Sequence, residues 1–427
     1  MAASSATRGL EVEAWFRTLA DTMPVPTAFA ARTHALATSL AFKEWAGCHA
    51  VRHYGAYPDR EYYALRTAAT VMDATPLYKV DVRGPDAARL FSRVTVRDFT
   101  DFAPGRVAYT TWCDDRGKVM DDGTVMRFDD ERWRLTSAEP AYGWLAKHAR
   151  GLDVELCDVS REVAALALQG PYARDVLARL VGSVADELRY FRARETRVGG
   201  SDVLITRTGY TGDLGYELWV ENADAPDLWD AVLEAGRPVG LLPMGLDVLD
   251  IARVEAGYML HGVEYTSARD AFIPRQESTP YELSLDWMVT LEREPFVGRA
   301  ALVAEQRRGV AKRLVGLEID WDAYEALLEG YGLPPALATA TCRDGVPVFR
   351  RGKQIGYATS RTWSPLLKRY LALAHVPDGD AQPGAELEIE VTVEYERRRC
   401  TARVVPLPFF DPPRKKTTPA LTAAPAR

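Results

Sequence analysis

The sequence predicts an α+β fold: two strand–helix modules of one plan in the first half, then a chain end of short strands. The repeated module is the first observation behind this. VDVRGPDAARLFSRV (80–94) and LALQGPYARDVLARLV (166–181) each read as an apolar strand, a Gly-Pro step and an amphipathic segment. Proline suits a first helical turn, where its missing N–H costs nothing, and Ala87, Leu90, Phe91 and Val94 recur at helical spacing. A Gly-rich hairpin in each half is the second observation. After residue 310 the texture becomes short alternating runs separated by Gly, Pro and Asp, which is the third.

In chain order, VAYTTWC (107–113) turns through DDRG into KVMDDGTVMRF (118–128), a predicted hairpin. SDVLITRTGYTGDLGYELWV (201–220) is a second strand–turn–strand. ADAPDLWDAVLEAG (223–236) is a helix with Asp224 as N-cap, Pro226 in the first turn and Gly236 as the stop. LDVLDIARVEAG (246–257) is a further amphipathic helix. LVGLEID, VPVF, QIGYATS, ELEIEVTVEY and TARVVPL are the strands of a β-rich domain. The predicted organisation is an N-terminal extension over 1–55, two α+β domains over 56–310, a β domain over 311–410 and a disordered tail over 411–427. The RKK within that tail is read as solvated.

With 427 residues, a net charge of −7 and 26% charged residues, the chain reads as globular, without the basic surplus of a nucleic-acid or membrane-surface binder. No apolar run reaches the length of a membrane span, and MAASSATRGL lacks the apolar core of a secretion signal. Five scattered cysteines (Cys48, Cys113, Cys157, Cys342, Cys400) with no CxxC predict neither disulfides nor a metal site. The expected setting is cytoplasmic.

The stretch GKVMDDGTVMRF places two acids inside a strand. Alternation sends Asp121 to the face of Val119, Gly123, Val125 and Arg127, and Asp122 to the more apolar face of Met120, Thr124, Met126 and Phe128. Asp121 can be satisfied by Arg127 or by solvent. Asp122 either ends the strand in a turn with Gly123, as a local backbone acceptor, or is a desolvated acid with a raised pKa and a chemical task. Glu217 alternates with Tyr216 and shares a face with Trp219. It lies on a solvent face or grips a heterocycle through paired N–H donors while the indole stacks. Asp213 reads as a turn residue.

Taken in order, EYYALRTAATVMDATPLYKVDVRG, AYTTWCDDRGKVMDDGTVMR, ALQGPYA, TRTGYTGDLGYEL, IARVEAGYMLHG, STPYELSLDWMV, PFVGRAAL, TSRTWSPLLKRYLALAHV and ARVVPLPFF resemble the aminomethyltransferase family. This is the T-protein of the glycine cleavage system with its tetrahydrofolate-dependent relatives. The resemblance implies a three-domain fold, two domains with ferredoxin-like elements and a C-terminal β-barrel enclosing a central hole for tetrahydrofolate. It makes Asp122 the catalytic acid, positioning the cofactor and handling protons. Glu217 falls on the pterin-gripping glutamate, Tyr109 and Tyr210 on folate-pocket tyrosines, and Trp287 on a position nearby.

The chain departs from the family pattern around the pocket. Leu249 stands where T-proteins carry an arginine, LTSAEP replaces the asparagine-bearing stretch, and FKEWAGCHAVRHYGAY replaces the usual entrance. These departures lead to an expected C1 transferase or demethylase that moves a methyl or methylene group from a small donor, such as a methoxy or methylenedioxy arene, to folate N5. Trp45, Tyr54, Tyr57 and Trp112 are candidates for an apolar donor pocket, Cys48 and Cys113 for nucleophiles, and His49 and His53 for acid or base. The alternative is a glycine-cleavage aminomethyltransferase that takes its group from lipoylated H-protein. A folate-binding relative serving iron–sulfur assembly would carry a KGCYxGQE-like cysteine, which EAGYMLHGVEY lacks. A flavin dehydrogenase would need a dinucleotide-binding domain ahead of the match.

Overall fold

The structure, a computed structural model, describes residues 23–418. Two mainly antiparallel sheets and a closed barrel meet at a central junction made of two apolar clusters. In the first sheet the strands run in the order Val107–Cys113, Val119–Arg127, Arg132–Ser137, Tyr78–Arg83, Glu155–Asp158. Helices Ala87–Val94 and Tyr142–His148 cover one face, and Leu90, Phe91, Phe99 and Trp133 are part of its apolar core. Burying each such side chain is worth about 1.5–3 kcal/mol.

The second sheet orders Ala193–Val198, Ser201–Thr206, Gly215–Glu221, Val163–Gln169, Thr70–Asp73 and Leu242–Pro243, the last pair parallel. Helices Ala173–Val181 and Ala225–Gly236 cover it. Asp224 occupies the predicted N-cap, but its side chain makes no capping bond because a 3₁₀ turn, Asn222–Asp224, leads directly into the helix.

The repeated Gly-Pro step lies outside the helix rather than in its first turn. In both modules the proline precedes the N-cap, and Ala87 and Ala173 donate back to the carbonyls of Gly84 and Gly170. Both glycines hold positive φ (126° and 115°), and a Cβ there would lie 2.4 Å from the Asp153 carbonyl oxygen or 2.8 Å from that of Leu65. The echo is therefore a tight strand-to-helix turn pressed against neighbouring backbone.

Six strands between Lys312 and Val405 close the barrel, with Lys312–Ile319 pairing to both Arg369–Pro377 and Glu396–Val405. Val96, Cys113, Val119, Met259, Tyr265, Leu314, Leu371 and Leu373 join the barrel to the first sheet. Val107 and Met126 of the first sheet meet Ala165, Leu204 and Trp219 of the second.

The two ends of the described chain differ from expectation. The N-terminal stretch is integrated rather than appended. Phe29 is fully buried against Trp229, and the hairpin Ala41–Trp45/Cys48–His53 packs on helix Leu246–Glu255. Residues 411–418 of the tail are described, and its RKK is not free. Arg414 binds the buried Asp213 with two hydrogen bonds, 2.6 and 2.8 Å, and Lys415 sits over the Tyr258 ring. Arg207 donates to the carbonyl oxygens of Arg414 and Thr417. Buried acids and a buried arginine in the second domain supply the partners that composition alone does not reveal. The remaining tail and MAASSATRGL lie outside the described residues.

Candidate active site

The Asp122 strand pairs Asp122 with Thr111, Thr124 with Tyr109, and Asp121 with Trp112. A register shift next to Trp112 leaves Met120 without a partner, a bulge that re-aims the two acids. The register puts the two positions on opposite faces of the strand, although both carboxyls reach one phenol. The burial is the reverse of that predicted, because the fully packed face is the one shared by Ala108, Trp112 and Val125, which is the face of Asp121.

Asp121 is therefore buried, 1% exposed, and neither solvent nor Arg127 satisfies it. Arg127 is committed to the carbonyls of Phe102 and Asp129 and to Asp130. Asp121 Oδ1 instead accepts the backbone N–H of Asp122 (2.8 Å) and Oδ2 that of Glu139 (3.1 Å). Asp122 is half-buried. Tyr109 donates to its Oδ2 at 2.8 Å, and Tyr265 donates to its Oδ1. The same Tyr265 hydroxyl lies 3.3 Å from Asp121 Oδ1, so one phenol bridges both carboxyls. Burial raises both acids above the ordinary carboxylate range. For Asp121 the neighbouring Asp122 charge raises it further, whereas the two phenols and His261 restrain Asp122.

Tyr109 also stacks on Trp287, centroids 6.5 Å apart, and Arg97 reaches over that indole while donating to the Tyr109 carbonyl. Trp287 is 66% exposed, which puts it at the mouth rather than the floor. Tyr210 stacks on Tyr258 and donates to the Met259 carbonyl. Its phenol is pushed well above the ordinary value, by burial first, and the Asp122 charge contributes. Two residues before Tyr210, Thr208 donates to Glu217 Oε2 at 2.8 Å, with Thr206 at 3.3 Å. Glu217 Oε1 accepts no hydrogen bond and no cation pairs with the carboxylate among the described residues, while burial raises its pKa. A desolvated, half-satisfied carboxylate fits a ligand that brings paired N–H donors. Trp219 is not available to stack on that ligand. It is packed between the two sheets with its indole N–H 3.4 Å from the Thr206 hydroxyl.

The proposed donor pocket does not assemble. Trp112 and Tyr54 are core residues, Tyr57 is surface, and only Trp45 lies near Leu249, where both border an apolar cluster. Cys113 is fully buried, with its thiol well above the ordinary range, and Cys48 accepts a hydrogen bond from Arg161. His49 packs near His34, and His53 bonds the Gly55 carbonyl. The histidine beside the acids is His261, edge-on to Tyr265 with 5.3 Å between ring centroids. Sequence reasoning missed both His261 and Tyr265. They stand in EAGYMLHGVEY, and no periodicity marks a loop that reaches across from another domain. Among the described residues no group of three His, Cys, Asp or Glu could hold a metal ion, and no helix is long and apolar enough to cross a membrane.

Residues 9–293 match the family model for the GCVT N-terminal domain, and 312–411 match that for the glycine cleavage T-protein C-terminal barrel domain. The aminomethyltransferase of Geobacillus thermodenitrificans is 35% identical over 82% of this chain and 89% of its own. That of Rubrobacter xylanophilus is 36% identical over 84% and 87%. The crystal structure of glycine cleavage system aminomethyltransferase T from Bartonella henselae superposes with a TM-score of 0.77 at 24% identity, covering 91% of this chain and 98% of that one, and shares the fold. The chain belongs to the glycine cleavage T-protein family of aminomethyltransferases.

Proposed function

We propose that this protein is a tetrahydrofolate-dependent aminomethyltransferase that takes an aminomethyl group from the lipoyl arm of an H-protein and releases ammonia. Family membership across both halves of the chain supports one-carbon transfer to tetrahydrofolate. The observation that carries the site assignment is Asp122, a half-buried carboxylate whose two oxygens are each held by a phenol. In this reading Glu217 Oε1 receives the pterin N–H donors, and Tyr109 with Trp287 forms the aromatic wall. Tetrahydrofolate supplies the nucleophilic nitrogen. Asp122 orients that nitrogen and exchanges a proton at its Oδ atoms, while the packed second sheet limits access of water.

A methyl or methylene donor is the second reading, and Leu249 favours it. This residue puts an apolar side chain on the cluster that Trp45 also borders, where the family pattern has a cation. Relatives named aminomethyltransferase over most of their length favour the first. One experiment separates the two: purified protein with tetrahydrofolate and aminomethylated, lipoylated H-protein, with ammonia and methylene-tetrahydrofolate measured. Release of both supports the first reading. Release of neither, with methyl-tetrahydrofolate formed from a methoxy-arene panel, overturns it.

A further inference from the structure

Transfer of a one-carbon group has an awkward proton order. The departing atom needs a proton as its bond to carbon breaks, yet the acceptor nitrogen becomes acidic only after it has bonded to that carbon. A single carboxyl cannot be protonated for the first event while remaining ionised to orient the nucleophile. Two carboxyls joined by a hydroxyl can divide the tasks.

We propose that Asp121, Tyr265 and Asp122 form a proton relay, with Asp121 holding a proton in reserve and Tyr265 passing it to Asp122. The proposal rests on the proposed function and concerns the same site. Its basis is the line Asp121 Oδ1, Tyr265 Oη, Asp122 Oδ1, in which one phenol oxygen lies within hydrogen-bond reach of both acids. Tyr265 is 3% exposed, so bulk water does not short-circuit the line. In the step, the Asp121 O–H bond breaks toward Tyr265 Oη while the Tyr265 O–H bond breaks toward Asp122 Oδ1. The tyrosine stays neutral, and the negative charge moves from Asp122 to Asp121.

Each end is built to hold a negative charge, Asp122 before the step and Asp121 after it. Asp121 as carboxylate is held by the N–H groups of Asp122 and Glu139, and Asp122 as carboxylate by the hydroxyls of Tyr109 and Tyr265. Asp122 next gives its proton to the departing atom. The proton that the acceptor nitrogen sheds restores the pair, so none is consumed. The other titratable groups facing the relay are Tyr109 and Tyr210, whose phenols burial keeps protonated, and His261, edge-on to Tyr265 with Glu139 3.8 Å beyond its Nδ1.

The test combines infrared difference spectroscopy, folate binding and kinetics on wild type, Asp121→Asn and Tyr265→Phe. At neutral pH the wild type should show the C=O band of a protonated carboxyl that Tyr265→Phe retains and Asp121→Asn lacks. Tyr265→Phe should bind tetrahydrofolate within about twofold of wild type, while kcat falls by on the order of 10- to 100-fold and the solvent deuterium effect changes. A band that survives in Asp121→Asn, or wild-type kcat in Tyr265→Phe, overturns the relay. Failure of the wild type to bind tetrahydrofolate would instead overturn the proposed function, and the band assignment would still decide whether Asp121 holds the proton.

Discussion

Asp213 should be one of the most costly single substitutions outside the apolar cores. Its side chain is fully buried and accepts two hydrogen bonds from Arg414 and one from Arg66 Nη1 at 3.4 Å. Arg66, also fully buried, has a second partner in Glu255, whereas Arg414 is 32% exposed and can regain water. Removing one partner of a buried ion pair costs about 3–5 kcal/mol, and these two escapes place Asp213→Asn near the lower end, about 3 kcal/mol. Arg414→Ala should cost less, about 1 kcal/mol, because Asp213 keeps Arg66. The double substitution should then fall short of the sum by about 1 kcal/mol or more. Denaturant midpoints read by far-UV circular dichroism and tryptophan fluorescence measure all three. An Asp213→Asn protein within about 0.5 kcal/mol of wild type would show that this carboxylate is hydrated, and the buried cluster would not exist as described.

Glu217→Gln should weaken tetrahydrofolate binding by about 10-fold or more in a fluorescence titration, the loss of about 1.5–3 kcal/mol for a hydrogen bond to a charged acceptor. Asp122→Asn should lower kcat by about 10²–10⁴-fold, measured as product release under saturating folate. The folded pKa of Asp121 is raised to about 8. Stability tied to its protonated form is therefore fully present below about pH 4 and lost as pH rises toward 8. Asp121→Asn should flatten that fall across pH 4–8 in thermal melts, and an unchanged slope would place the titration elsewhere.

Local pattern carried much of this into view. The Gly-Pro turns, both Gly-rich hairpins and helix Ala225–Gly236 were readable because each rests on backbone chemistry within a few residues. Strand Arg369–Pro377 was not. Leu371 and Leu373 face the central junction while Ala372, Ala374 and Val376 face the barrel interior, and burial on both sides erases the alternation that marks a strand. Alternation put the two acids on separate strand faces, although their carboxyls meet at one phenol, and it assigned the wrong one to the packed face. The bulge at Met120 and the face that Trp112 covers are set by the partner strand, which a single segment cannot report. Asp122, Glu217 and Tyr109 emerged through family motifs, whereas Tyr265 reaches Asp122 across 143 positions of sequence. Asp213 read as a turn residue for the same reason, since its partners lie 147 and 201 positions away.

That last pairing has a consequence for biosynthesis. Asp213 is held from one side by Arg66, 147 residues before it, and from the other by Arg414, 201 residues after it. The tyrosine wall of Tyr258 and Tyr210, against which Lys415 rests, is thus completed only after the whole barrel has been made. A nascent chain paused in the barrel would carry an unfinished tyrosine wall, and an expression tag joined directly after Thr418 would press on that closure.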